Sequence, residues 1–93
     1  MKVSNLVNDK GNSAVNQFVI TRNDKTVFQS YKTTIASVDV HGVTLDRDAL
    51  DYSRTTSKHL YIFLRDFTPF QVSTRKDVEK LINAGDIVIG DLN

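Results

Sequence analysis

The fold is decided by the stretch QFVITRNDKTVFQSY, residues 17–31. Residues 17–21 and 26–31 are rich in β-branched and aromatic side chains, and the polar residues 23–25 (NDK) separate them. Two such runs around a short polar turn are typical of a β-hairpin. In the second strand we expect Val27 and Tyr31 on one face and Phe28 on the other.

Further strands are predicted on both sides of this hairpin. Residues 34–40 (TIASVDV) predict a third strand, and the glycine turn after them leads into residues 43–45 (VTL) as a fourth. Residues 1–15 are polar and contain a cluster of turn-forming residues at positions 8–13. They predict a flexible arm or a short leading strand.

The apolar run at residues 60–64 (LYIFL) fits either a buried strand or a helix. Two observations favour a helix from about residue 55 to residue 65. Ser53 or Thr55 can cap a helix by accepting a hydrogen bond from a free backbone N–H. Helical spacing is also seen in four apolar residues: Leu60, Phe63, Leu64 and Phe67.

A second helix and a last strand complete the chain. Pro69 ends the first helix, and Ser73 or Thr74 caps the second, with Asp77 in an imperfect capping box. Gly85 is a typical helix stop, and residues 86–92 predict a strand. The apolar stripe of the second helix contains Val78, Leu81 and Ile82.

These elements predict one α+β domain over residues 1–93: an antiparallel β-meander of three to five strands with two helices packed on one face. The chain is 40% hydrophobic and 25% charged, as expected for a globular domain. So short a chain buries only about 60–65% of its unfolded surface. It has no cysteine to add a disulfide or a thiolate zinc site. A partner or self-association is expected to contribute stability.

Net charge and hydropathy limit the cellular location and the partners that we expect for the chain. Twelve basic and 11 acidic residues give a net charge of +1, so no overall field attracts nucleic acid or a membrane. No stretch approaches the roughly 18 apolar residues of a membrane span. The first eight residues, MKVSNLVN, lack the apolar core of a signal peptide. We therefore expect a cytoplasmic protein without a membrane partner.

Catalytic and cofactor motifs are not found. His41 and His59 are the only histidines, and no serine lies in a G-x-S-x-G elbow. Four glycines form no phosphate-binding loop. Asp46, Asp48 and Asp51 lie close together but lack the ligand spacing of a calcium loop. The expectation is a non-enzyme with no catalytic residues, no metal and no cofactor.

The most suggestive stretch is YSRTTSKH, residues 52–59. Free N–H groups at a helix start attract anions, and two basic residues four apart share one helical face. The same pattern also fits an ordinary capped helix with a solvated basic face. The predicted protein- or anion-binding surface has seven members: Tyr52, Ser53, Arg54, Thr55, Lys58, His59 and Tyr61.

An alternative surface would bind nucleic acid by stacking bases on aromatic rings beside basic side chains. Phe28 and Tyr31 are the candidate rings, with Arg22, Lys25 and Lys32 as the basic residues. Aromatic residues on a small sheet also commonly belong to the core. The sequence leaves both possibilities open.

A wider resemblance covers residues 16–92. The segments FQSY at 28–31, IA at 35–36, LD at 45–46 and DYSRTTSKHL at 51–60, followed by FL at 63–64, carry it. In this pattern the chain resembles a group of small proteins carried by bacteriophages and mobile elements of Gram-positive bacteria. No functional residues come with the resemblance.

The resemblance implies a setting, namely an accessory protein acting in the cytoplasm of a bacterial host. Small phage accessory proteins often inhibit host defence or replication proteins by covering a surface, as anti-CRISPR proteins do. The leading hypothesis is thus a non-enzymatic phage-type protein that binds a host protein as an anti-defence inhibitor. Nucleic-acid binding is the alternative, and a homo-oligomer is also considered.

Overall fold

The computed structural model describes residues 1–93 and contains six strands and two helices. In chain order these are β1 (Lys2–Val7), β2 (Ser13–Arg22), β3 (Lys25–Ser30), β4 (Thr33–Asp39), β5 (Gly42–Asp46), α1 (Arg54–Phe67), α2 (Arg75–Asn83) and β6 (Ile87–Gly90).

All six strands form one sheet, in which the spatial order follows the chain from β1 to β6. Neighbours are antiparallel from β1 to β5, and β6 is parallel to β5. The α+β class is confirmed, but the prediction of three to five strands in a purely antiparallel meander is wrong. Both helices lie between β5 and β6, so the chain crosses over and enters β6 in the direction of β5.

The buried face of the sheet carries a row of apolar side chains across its middle. Val19, Phe28, Ala36 and Leu45 are paired from strand to strand and are almost fully buried. They belong to one core cluster with residues of both helices, including Leu60, Phe63 and Leu64 of α1 and Val78 of α2. The helices therefore cover one face of the sheet.

A bulge in β4 adds to this core. Phe28 pairs with Ala36, whereas the next residue of β3, Gln29, pairs with Thr34, so Ile35 has no partner. Ile35 and Ala36 are consecutive, yet 1% and 0% of their surfaces are exposed. In a regular strand, consecutive side chains point to opposite faces. The bulge lets both side chains enter the core.

Tyr31 departs from the predicted strand pattern. Strand β3 ends at Ser30, and Tyr31 begins a two-residue loop to Thr33 with a φ of 54°. The backbone N–H of Tyr31 donates to the Asn16 carbonyl over 2.7 Å, and the Gln29 side-chain amide donates to the Tyr31 carbonyl over 2.7 Å. The prediction that Tyr31 shares the face of Val27 is wrong, because positive φ takes it out of the strand alternation.

The helix starts are confirmed. Ser53 caps α1 by accepting a hydrogen bond from the Thr56 N–H over 3.1 Å. Thr74 caps α2 in a capping box, with the Asp77 carboxylate accepting from the Thr74 N–H. Gly85 follows α2 with a φ of 83°, a left-handed conformation that favours glycine.

The last three residues, 91–93, form what we call the C-terminal clasp. The Leu92 N–H donates to Asp46 Oδ1 over 3.0 Å. The Asn93 side chain accepts from the Thr34 N–H over 2.8 Å and donates to the Thr34 carbonyl over 2.9 Å. Strand β5 pairs with residues 36–39 of β4 and stops short of Thr34. Asn93 thus supplies hydrogen bonds where β5 has ended.

Candidate binding surface

The predicted surface lies where α1 begins, but its members point in different directions. At about 100° per residue, Arg54 and Lys58 lie on the opposite side of the helix from Thr56. They are exposed, while His59 and Tyr61 are half-buried and Tyr61 packs against the core. The structure therefore does not bring all seven predicted residues to one place.

A cleft at the start of the helix brings two of them together with Tyr31 of the β3–β4 loop. Its volume is about 290 Å³, and its walls include Tyr31, Tyr52, Ser53 and Thr56. Tyr31 is 62% exposed and Tyr52 is 37% exposed. We call these four residues the tyrosine cleft. Its two rings come from loops 21 residues apart in the chain.

Two basic residues follow members of the tyrosine cleft in the chain. Lys32 follows Tyr31 and lines a second cleft with Tyr52, of about 580 Å³, while Arg54 follows Ser53 and lies on the side of α1 away from Thr56. Both are exposed and belong to none of the four ion pairs of the chain. These pairs are Arg47–Asp91, Arg65–Asp9, Arg75–Asp51 and Arg75–Glu79. The charges of Lys32 and Arg54 are available to a ligand.

The surroundings of Tyr52 favour the neutral form of its hydroxyl. Burial raises its pKa above the usual value, and the nearby negative charges of Asp46 and Asp48 raise it further. A neutral phenol can donate and accept a hydrogen bond while its ring supplies apolar contact area. Tyr52 can therefore contribute both a hydrogen bond and ring contacts to a binding surface.

Asp46 has a structural role beneath the second cleft. Only 3% of its surface is exposed, and it accepts hydrogen bonds from the N–H groups of Leu92 and Asp48. Burial raises the pKa of its carboxyl, but these hydrogen bonds, a further one from the Asn93 side chain and the Arg47 charge together outweigh burial and leave the pKa below its usual value. Asp51 pairs with Arg75. No group of three or more His, Cys, Asp or Glu side chains is placed to hold a metal ion.

The two histidines lie in different parts of the fold, His41 in a turn and His59 in a helix. His41 is exposed in the turn before β5, and its backbone N–H donates to Asp39 Oδ1 over 2.8 Å. His59 lies in α1, where its Nδ1 is buried without a hydrogen-bond partner. Burial lowers the pKa of His59, and the Lys58 charge lowers it further. A catalytic histidine is usually oriented by a hydrogen bond at this nitrogen.

The five residues of the predicted nucleic-acid surface are also separated. Phe28 has no exposed surface and stacks on Phe63 inside the core, so its ring is closed to a base. Arg22 and Lys25 face each other at the start of β3, whereas Tyr31 and Lys32 follow its end. Six strand residues span about 20 Å. Tyr31 and Lys32 belong with the tyrosine cleft instead.

The sequence indicated the part of the tyrosine cleft that lies at the start of α1, but not the part that lies in the β3–β4 loop. The hydroxyl-rich start of α1 indicated Tyr52 and Ser53. The β3–β4 loop was missed because tight hairpin loops usually contain glycine or asparagine at positive φ. Here a tyrosine occupies that position, so nothing marked the turn.

Neither helix is long and apolar enough to cross a membrane. No curated protein and no solved structure matches the chain at a significant level. A family model described as "Family of unknown function (DUF8033)" matches residues 1–80, which include β1 to β5, α1 and most of α2. The chain therefore belongs to the DUF8033 family.

Proposed function

We propose that this chain is a non-enzymatic binding protein that docks on another protein through the tyrosine cleft and the two basic residues beside it. The observation that supports this proposal is the meeting of Tyr31, from the β3–β4 loop, with Tyr52 and Ser53 at the start of α1. Two partly exposed rings thus lie together on a small domain, and Lys32 and Arg54 are next to Tyr31 and Ser53 in the chain.

The residue types favour a protein partner. Tyrosine and arginine are enriched among the residues that dominate binding energy at protein interfaces. A tyrosine ring brings a large contact area with few rotatable bonds, so little conformational entropy is lost on binding. Tyr31 is further restrained by the two hydrogen bonds to its backbone. Such preorganisation increases affinity.

Charge indicates the kind of surface that is bound. Lys32 and Arg54 follow Tyr31 and Ser53 of the tyrosine cleft in the chain, and neither belongs to an ion pair of the chain. Complementary charge across an interface speeds association and excludes wrong partners. The partner is therefore a protein surface with carboxylates around an apolar or aromatic centre.

The biological setting of the proposal rests on the sequence resemblance. A phage or mobile-element accessory protein acts in the bacterial cytoplasm, and its partner is a host protein. Covering a functional surface of a defence protein is the mode of action we infer, as an anti-CRISPR-like inhibitor. The domain needs no catalytic group for that role, since occlusion depends on affinity alone.

In the first step, the tagged chain and its Lys32→Glu/Arg54→Glu variant are each used to capture binding proteins from bacterial host lysate. The lysate is treated with nuclease. A matched control is Lys76→Glu/Lys80→Glu, which reverses two exposed charges on α2 outside all ion pairs. The partner retained by the wild type and the control is then purified for affinity measurement.

The Lys32→Glu/Arg54→Glu variant should bind the purified partner at least tenfold more weakly than the wild type, which corresponds to a loss of about 1.4 kcal/mol in binding free energy. Equal affinities for both double variants would contradict the proposal. Lys58→Glu adds a second check, because Lys58 shares a face of α1 with Arg54 but lies one turn further from Ser53 and should have a smaller effect. Recovery of only nuclease-sensitive material, with an affinity that falls steeply with salt, would indicate nucleic acid as the ligand instead.

A further inference from the structure

The sheet has two free edges, β1 on one side and β6 on the other. Natural proteins usually protect such edges with charges, proline or bulges, because unpaired N–H and C=O groups can pair with another chain. The four residues of β6, IVIG, contain none of these features. Val88 is 59% exposed and Ile89 is 42% exposed. Strand β6 is an unprotected apolar edge.

The opposite edge has a regular segment of the same length. Strand β1 pairs regularly with β2 from Lys2 to Asn5, and a bulge follows before Val7. Val3 lies in the middle of this segment and is 53% exposed. Each edge therefore offers four residues in regular strand conformation with a half-exposed valine.

The two valines occupy equivalent places. A single row of paired residues crosses the sheet on the face away from the helices, and Val3 and Val88 are its two ends. The complete row is Val3, Ile20, Val27, Ser37, Thr44 and Val88. A second copy placed edge to edge continues this row, with Val88 of one copy beside Val3 of the next.

Strand direction and charge agree with that arrangement. Four antiparallel steps from β1 to β5 and one parallel step to β6 leave β1 and β6 pointing the same way. A continued sheet thus pairs them in parallel, with Lys2 of one copy close to Asp86 of the other. Two β6 edges in a continued sheet would instead run antiparallel with Val88 beside Val88, so that Asp86 lies one residue away from the like-charged Asp91 of the second copy.

We propose that the chain associates with itself by parallel pairing of Ile87–Gly90 of β6 with residues 2–5 of β1 in a second copy. The contact is heterologous, so each copy keeps one free edge and the association is open-ended unless it closes into a ring. The proposal uses the sheet edges and is independent of the tyrosine cleft.

Cysteine cross-linking tests the pairing directly, because the chain has no cysteine of its own. Val3→Cys and Val88→Cys proteins are oxidised separately and as a mixture. Adjacent strands lie about 4.8 Å apart, which a disulfide can bridge. Within one copy the two positions are five strand spacings apart, or about 24 Å, so an intramolecular disulfide is excluded.

The expected result is a mixed disulfide dimer that forms at least tenfold faster than dimers of either single variant. Fast dimerisation of Val88→Cys alone would overturn the proposal in favour of β6–β6 pairing, and that of Val3→Cys alone would indicate β1–β1 pairing. Val40→Cys, in an exposed turn, gives the rate of random collision.

Sedimentation of the unmodified protein gives an independent readout. The mean mass should rise with concentration between micromolar and millimolar. Val88→Lys places a charge on the β6 edge and should remain a monomer over this range, whereas Val40→Lys should associate like the wild type. A wild type that stays monomeric at millimolar concentration would overturn the proposal. Lys32→Glu/Arg54→Glu, the variant that tests the proposed partner surface, should leave this association unchanged.

Discussion

Phe28 in β3 and Phe63 in α1 stack with their ring centroids 5.6 Å apart and their planes at 24°, and neither ring is exposed. This pair joins the first helix to the centre of the sheet. Phe67 extends the stack, with its centroid 5.1 Å from that of Phe63, but it is 42% exposed. The two helical rings thus differ in burial within one aromatic cluster.

Phe63→Ala should lower the free energy of unfolding by about 3–5 kcal/mol, because it removes a fully buried ring and leaves a cavity. A domain of this size has a total stability of only about 5–15 kcal/mol. Phe67→Ala is the matched control and should cost much less, since part of that ring already contacts water. Urea unfolding measures both. Equal losses would show that Phe63 does not anchor the helix.

Tyr31→Gly should separate stability from binding. Holding a non-glycine residue at positive φ costs about 1 kcal/mol or more, and glycine relieves that cost. We expect the free energy of unfolding to stay the same or to rise by up to about 1 kcal/mol. Affinity for the protein partner should fall at least tenfold, because the ring is lost. A less stable Tyr31→Gly variant would show that the ring contributes to the stability of the fold and is not simply a free contact for a partner.

The stability of the domain should fall in mild acid because of His59. Its pKa in the folded state is below the unfolded value of about 6.5, since burial and then Lys58 disfavour the charged ring. As the pH falls below about 6.5, the unfolded chain takes up a proton more readily, so the free energy of unfolding decreases. Below the folded pKa it levels off.

This pH effect is measured by urea unfolding between about pH 8 and pH 5. His59→Gln should remove much of the decrease over that range. His41→Gln, in the exposed turn before β5, should leave it in place. The attribution to His59 fails if the two variants show the same pH dependence.

Asn93→Ala should destabilise the domain by about 1 kcal/mol, because two hydrogen bonds to the Thr34 backbone are lost. Asn83→Ala is a suitable control, since Asn83 is exposed near the end of α2 and its side chain makes no hydrogen bond within the chain. Thermal unfolding compares the two. An Asn93→Ala variant with wild-type stability would mean that water replaces the two hydrogen bonds to Thr34 without a loss of free energy of unfolding.

Much of the fold followed from local patterns in the sequence. Two runs of β-branched and aromatic residues around the Asn-Asp-Lys turn predicted the β2–β3 hairpin, and Ser53 and Thr74 marked both helix starts. These features depend on a few neighbouring residues, so a single sequence contains enough information to predict them.

The direction of β6, the β4 bulge and the tyrosine cleft depend on contacts that are distant in the chain. Nothing in the residues of β6 specifies pairing with β5, 44 residues earlier at the Val43–Ile87 pair. The position of Tyr31 depends on a hydrogen bond to Asn16 in the neighbouring strand. For the binding surface, the sequence indicated the start of α1 but could not show that the β3–β4 loop lies against it.

The hydrogen bonds of the C-terminal clasp span 46 residues from Leu92 to Asp46 and 59 residues from Asn93 to Thr34. Contacts between such distant segments form after local ones, because a long loop loses entropy on closing before the contacts that offset this loss can form. During synthesis, the antiparallel strands and both helices leave the ribosome before β6 and the clasp exist. A nascent chain at that stage has the outer edge of β5 unpaired, and a chaperone or a neighbouring nascent chain can reach that edge until residues 87–93 have emerged and paired.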